Sequence, residues 1–245
     1  MKIRIFIIAG MLFLNNSLLG QRATYINLGV AVNNDIFEFY DPCNIMQSAF
    51  LLSHAWSVTI TQEVIPHLSI ESGFISKVTM SGIKLNREHP DWGQINSFNL
   101  AFYSTQIPLR IKGNIFLIKN KLQISSTLGY HFGINHDYYW EDDYSETQFY
   151  PDDTISYTRT SFNPRKNYSL VEAGIGFNYA FNPSLEFAAE TSYYKGFNRV
   201  YRDDIEISSI DCSTSDGFGF SEGSYWSLVL TLRLKISNLW NKENG

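Results

Sequence analysis

Several kinds of protein are excluded by what this sequence lacks. Cysteine occurs twice, at Cys43 and Cys212, too sparsely for the disulfide framework of a small secreted scaffold or for a CxxC metal or redox motif. There is no Gly-rich phosphate loop and no HExxH pair. Lys and Arg are outnumbered by Asp and Glu, 19 to 24, so nucleic acid, whose phosphates demand a basic surface, is a poor partner. No apolar run reaches the roughly twenty residues of a membrane-crossing helix, and the mean hydropathy is −0.16. If this chain crosses a membrane, strands must cross it.

The longest greasy stretch is at the start. Lys2 and Arg4 precede an apolar run from Ile5 to Leu14, followed by a polar break at Asn15-Asn16-Ser17. That is the layout of a cleaved secretory signal peptide over residues 1–20. The domain expected after it, residues 21–245, starts at Gln21. No Cys stands near the cut, which argues against a lipid anchor. Loss of Lys2 and Arg4 leaves 17 bases against 24 acids, a net charge of about −7.

What is abundant is alternation. Aromatic residues make up 16% of the chain, and from Gln21 onward the dominant period is two, the mark of strands with one apolar and one polar face. From Leu122 to Ile134, for example, Leu122, Ile124, Leu128, Tyr130, Phe132 and Ile134 alternate with Gln123, Ser125, Thr127, Gly129, His131 and Gly133. This reading yields eight strands, near 23–33, 54–63, 68–79, 98–112, 122–134, 168–181, 185–197 and 223–237. Their connections alternate in length. Val64 to His67 and Asn182-Pro183-Ser184 are tight, whereas 34–53, 80–97, 135–167 and 198–222 are long. Around 113–121, the apolar Ile115 to Ile118 could extend either neighbouring strand. Long loops at one rim and short turns at the other is how outer-membrane barrels are built. The predicted fold is all-β: an eight-stranded antiparallel up-and-down transmembrane β-barrel.

A soluble barrel keeps its apolar residues inside, and a membrane barrel inverts the arrangement. The charges in the predicted strands fall on the parity opposite the apolar one: Glu63, Glu71, Lys77, Arg110, Lys112, Glu172, Glu186, Glu190, Arg233 and Lys235. That same parity is otherwise small, with Gly29, Ala31, Ser57, Gly73, Ser125, Thr127, Gly129, Gly133, Gly174, Gly176 and Ala188, which suits the narrow interior of eight strands. The bulky parity, such as Leu28, Val30, Val58, Ile60, Leu109, Ile111, Val171, Ile175, Leu228 and Leu230, suits acyl chains. A secreted soluble barrel is the alternative. Trp56, Tyr138, Tyr139, Trp140, Tyr168, Phe181, Tyr193, Trp226 and Trp240 near strand ends would form headgroup-level girdles, although strands favour aromatic residues in any setting.

The leader, the hairpin rhythm and the stretch Gln106-Ile107-Pro108-Leu109-Arg110-Ile111-Lys112 resemble the PorT-like outer-membrane β-barrel family of the Bacteroidota. In that family a strand commonly reads Glu-Ile-Pro-Leu, then apolar residues and a Lys. Gln106 stands where the family often has Glu, and Trp240 is followed by Asn-Lys-Glu-Asn-Gly where barrels favour a terminal aromatic. The resemblance implies location in the outer membrane of a Gram-negative bacterium more than an activity; a few members take part in protein secretion or gliding. Pro108, lacking an N–H, is read independently as a bulge or bend.

Four groups of candidate residues remain. Glu71, Arg110, Glu172, Glu186, Glu190, Arg233 and Lys235 are expected to form an interior charge network, with Glu186 and Glu190 facing Arg233 and Lys235 on the next strand. Buried charges must be paired, and the set is either a salt-bridged plug or the lining of a narrow pathway. Cys43 and Cys212, in the first and last long loops, either form a disulfide or remain free thiols. Glu141-Asp142-Asp143, Glu146 and Asp152-Asp153 read as a solvated acidic loop or a cation site, with no EF-hand spacing. His131 with Ser125 and Ser126, and His136 with Asp137, are the only pieces from which a base and nucleophile could be assembled. No catalytic, cofactor or metal site is assigned. The expected partners are outer-membrane lipid and either a secretion complex or an extracellular ligand. The expected role is a non-enzymatic surface barrel, ahead of a porin-like channel and a rim-located hydrolase.

Overall fold

The computed structural model describes residues 23–86, 98–118, 121–136, 141–149, 154–209, 212 and 214–236. The leader, Asp137, Tyr138, Tyr139, Trp140, Asp152, Asp153 and Trp240 lie outside them. The elements are β1 (Thr24–Asp35), β2 (Glu38–Tyr40), β3 (Met46–Ser48), β4 (Leu52–Ile65), β5 (Leu68–Leu85), β6 (Phe98–Ile118), β7 (Leu122–Asn135), β8 (Glu141–Phe149), β9 (Thr154–Phe162), β10 (Asn167–Asn182), β11 (Leu185–Gly196), β12 (Tyr201–Ser208), β13 (Ser215–Ser221) and β14 (Tyr225–Lys235).

Eight of these strands close into one antiparallel cylinder. β1 pairs with β4, β4 with β5, β5 with β6, β6 with β7, β7 with β10, β10 with β11, β11 with β14, and β14 with β1. Every predicted strand is present. Ile115 to Ile118 belong to β6, which runs on to the turn before Leu122. At the turn end, the pairings β4–β5, β6–β7 and β10–β11 each carry a bulge beside the turn. His67 takes φ 70° in the turn between β4 and β5. Pro108 is not itself a bulge. It stands in register with His131 of β7, while the β5–β6 ladder is interrupted opposite it and resumes unshifted between Ile75 and Gln106. The missing N–H costs a rung of the ladder without displacing a strand.

The cylinder is inside-out relative to a soluble protein. Val30 is 61% and Leu128 67% exposed, whereas Arg110 and Glu172 are 6% and 3%. The bulky parity forms an apolar outer wall. Tyr193 and Trp226 pair near the loop end, and Tyr179 and Phe181 near the turn end. Two residues depart from the expected segregation. Tyr168 is buried inside rather than in a girdle, because its parity on β10 is that of Leu170 and Glu172 and because Gly133 leaves it space: a Cβ there would lie 2.1 Å from the ring. Lys195 faces outward, and it sits at the loop rim, where it meets Glu222 at 2.7 Å.

The long loops hold six further strands. The short β3 extends the barrel wall by pairing with the top of β5. The other five form a second sheet at the loop end, in the order β2-β13-β12-β9-β8, called the cap sheet below. The acidic stretch read as a loop is thus partly strand, since Glu141, Asp142, Asp143 and Glu146 lie in β8. The cap sheet turns Ile155, Tyr157, Tyr201, Ile205 and Ile207 towards the barrel. They pack with Ile83, Leu85, Phe102, Leu170 and Tyr225 of the barrel wall into one apolar cluster over its mouth. The rings of Phe102 and Tyr201 lie 4.4 Å apart across that junction.

Candidate functional site

The lumen is crossed at mid-height by a charge network whose hub is Arg110 of β6. Its Nε donates to Glu172 Oε2 at 2.6 Å, Nη1 to Glu71 Oε1 at 2.7 Å and Nη2 to the Tyr194 hydroxyl at 2.9 Å. Tyr194 donates in turn to Glu172 Oε1 at 2.7 Å, and His131 Nε2 lies 2.6 Å from Glu172 Oε2. Glu71 Oε2 accepts from Thr61 at 2.8 Å and Asn27 at 3.2 Å. Lys112 joins Glu71 to Glu190, at 3.1 and 3.2 Å. The small inner residues make this possible: a Cβ on Gly129 would lie 2.8 Å from Glu172 Oε2 and 3.1 Å from Arg110 Cγ. Each buried charge meets an opposite one with hydrogen-bonding geometry, as burial requires.

Of the charges expected in the interior, Glu71, Arg110 and Glu172 meet directly, and Glu190 is reached through Lys112. Glu186 forms a separate pair with its cross-strand neighbour Arg233 at 2.9 Å, nearer the turn end. The expected pairing of Glu190 with Lys235 is absent. Glu190 reaches across the lumen to Lys112, and Lys235, half-buried, takes part in none of the salt bridges among the described residues. Above the hub, Tyr225 stacks on Tyr194 at 4.2 Å and donates to Gln106 at 3.0 Å, and Gln106 and Ser104 both bond the Tyr168 hydroxyl. Lys77 pairs with Asp35 and lies 4.5 Å from the centre of the Tyr225 ring. The tyrosines were missed because they read as strand aromatics; only their inward parity could have revealed them.

The network fills only part of the lumen. Alongside it, from Asn27 and Arg233 up to Asn33, Tyr225 and Ser227 and also bounded by Glu71 and Arg110, lies a cavity of about 100 Å³. Above the network a void of about 10 Å³ lies against Lys77, Gln106, Tyr168 and Tyr225. Of the hydrolase pieces, His131 and Ser125 are not brought together, and Asp137 lies outside the described residues. His131 is fully buried in the network, Ser125 is six residues along the same strand, roughly 20 Å away, and His136 bonds the Thr105 hydroxyl at 2.8 Å.

The cap sheet has a charged pair of its own. Buried Arg159 donates to Asp203 Oδ2 and to the Tyr201 hydroxyl, both at 2.7 Å, and Ser161 and Tyr201 donate to Asp203 Oδ1. Burial works against the Arg159 charge, but Tyr201 and Asp203 outweigh it and hold its pKa above the ordinary value. Burial, reinforced by the Asp203 charge, pushes the Tyr201 phenol up. Cys43 and Cys212 are joined as a disulfide, with Cα atoms 6.1 Å apart, tying the first long loop to the last beside the apolar cluster.

Among solved structures, the outer membrane protein OprG from Pseudomonas aeruginosa resembles this chain with a TM-score of 0.50 at 11% identity, covering 87% of this chain and 95% of that one. The fold is that of an outer-membrane β-barrel. Neisserial surface protein A also aligns, over 86% of this chain and 96% of its own, at 11% identity and a TM-score of 0.42. No family model and no curated protein matches the chain.

Proposed function

We propose that this chain is a non-enzymatic, integral outer-membrane protein of a Gram-negative bacterium, of the PorT-like type, which binds a partner or ligand through its loop-end sheet outside the cell. In this reading the apolar wall contacts outer-membrane lipid and the turns face the periplasm. The observation that carries it is the pairing of a closed lumen with folded loops. Arg110, Glu71, Glu172 and Tyr194 cross the interior, and the apolar cluster seals the mouth above them. Such a barrel serves as a membrane-held platform, either for an extracellular ligand or within a secretion complex.

Planar-bilayer recording tests this directly. The folded protein should give no stable single-channel steps, and discrete steps that vanish on heating would replace the platform with a narrow porin-like channel. That second reading draws on the cavity of about 100 Å³ alongside the network. Cross-linking in native outer membranes then separates the two platform roles: recovery of a stable set of secretion components would mark an accessory to secretion.

A further inference from the structure

The cap sheet buries one face over the barrel, and the described residues leave the other uncovered. On the uncovered face, strand register sets Tyr40 opposite Phe218, and Phe218 opposite Asp204. Tyr40 is 58% exposed. Its ring centre lies 5.5 Å from that of Phe218, and Phe220, two residues along the strand, stacks with Phe218 at 6.5 Å and 16° between planes. The guanidinium of Arg199 lies 4.4 Å from the Phe220 centroid. Carboxylates adjoin these rings: Asp204 on the neighbouring strand, held by Arg202 at 2.8 Å, then Glu206 opposite Asp216.

Three adjoining rings, two of them two residues apart on β13 and the third across from Phe218 on β2, with carboxylates one strand away, about 4.8 Å, are ill-suited to lipid, which would strand the charges. They are also ill-suited to a protein interface, whose core is depleted of charge. They match a sugar chain. The apolar C–H face of a pyranose lies flat on an aromatic ring, and its equatorial hydroxyls donate sideways to carboxylates. Charge narrows the class: Glu38, Asp204, Glu206 and Asp216 on the described part of this face outnumber Arg199 and Arg202, so a sulfated or uronic-acid chain is repelled. We infer that the uncovered face of the cap sheet is a docking platform for an extended oligosaccharide of neutral or amine-bearing sugars. This rests on the proposed function in that the cap must face the medium.

The test uses the full mature chain folded in detergent micelles, titrated calorimetrically with chitohexaose, its de-N-acetylated form, a heparin hexasaccharide and hexalysine. The amine-bearing sugar should bind tightest and the neutral one next, with heparin not binding. Phe218→Ala should weaken both binders by about tenfold, the order of one aromatic contact, and Glu206→Gln should weaken the amine-bearing sugar more than the neutral one. Both side chains are exposed, and the gel shift of unheated barrel checks that the variants fold. Absence of sugar binding by folded protein, tightest binding of heparin or of hexalysine, or indifference to Phe218→Ala would each overturn the platform. A chain that folds in plain buffer would instead overturn the membrane reading, whereas one that folds only in detergent and binds no sugar overturns this inference alone.

Discussion

The barrel and the cap sheet are built from the same alternating strands and wear them opposite ways round. In the barrel, Arg110 and Glu172 point inward and Val30 and Leu128 outward. In the cap, Ile205 and Ile207 point inward, and Arg202, Asp204 and Glu206 outward. Period two fixes that a strand has two faces, and the surrounding solvent decides which is which. Each region also keeps a buried ionic cluster around an arginine, Arg110 below and Arg159 above.

This contrast can be broken in graded steps. The largest effect is expected from Arg110→Ala, which leaves Glu71 and Glu172 buried without their guanidinium. It should cost about 3–5 kcal/mol, read as a lowered urea midpoint of the folded band in lipid vesicles. Next, Val30→Arg places a cation on the lipid face and should cost about 2–4 kcal/mol. Glu206→Arg on the outward face of the cap should change stability by no more than about 0.5 kcal/mol. Equal tolerance of the two would erase the distinction between the regions. Replacing both Cys43 and Cys212 by Ser should remove about 2–4 kcal/mol, confined to the cap, as faster protease nicking there with the barrel midpoint unchanged. Alkylation of unreduced wild type should find no thiol. A smaller loss than that of the disulfide is expected from Tyr201→Phe, which removes one buried hydroxyl beside Arg159 and should cost about 1 kcal/mol, visible as faster hydrogen exchange in β9 and β12.

The barrel strands were legible because each holds its alternation over ten or more residues. The cap strands were not, although β9 and β12 alternate too. Arg159 and Asp203 occupy inward positions in them, so the apolar face is interrupted by the charged pair that holds it together. Within the barrel, the inward direction of Glu71, Arg110 and Glu172 followed from parity, and the Glu186 and Arg233 pair from neighbouring strands. The link from Glu190 to Lys112 spans the lumen between β11 and β6, and such contacts depend on the stagger of the closed ring. Parity along one strand carries no trace of it.

Arg110 touches β5, β10 and β11; through Glu71 its contacts reach Thr61 of β4 and Asn27 of β1, through Glu172 they reach His131 of β7, and Tyr194 carries them to Tyr225 of β14. All eight staves of the cylinder therefore report to one guanidinium. A ring missing any stave leaves a member of the set unanswered, so the central arginine acts as a proofreader of completeness, and partly assembled intermediates should be sparse.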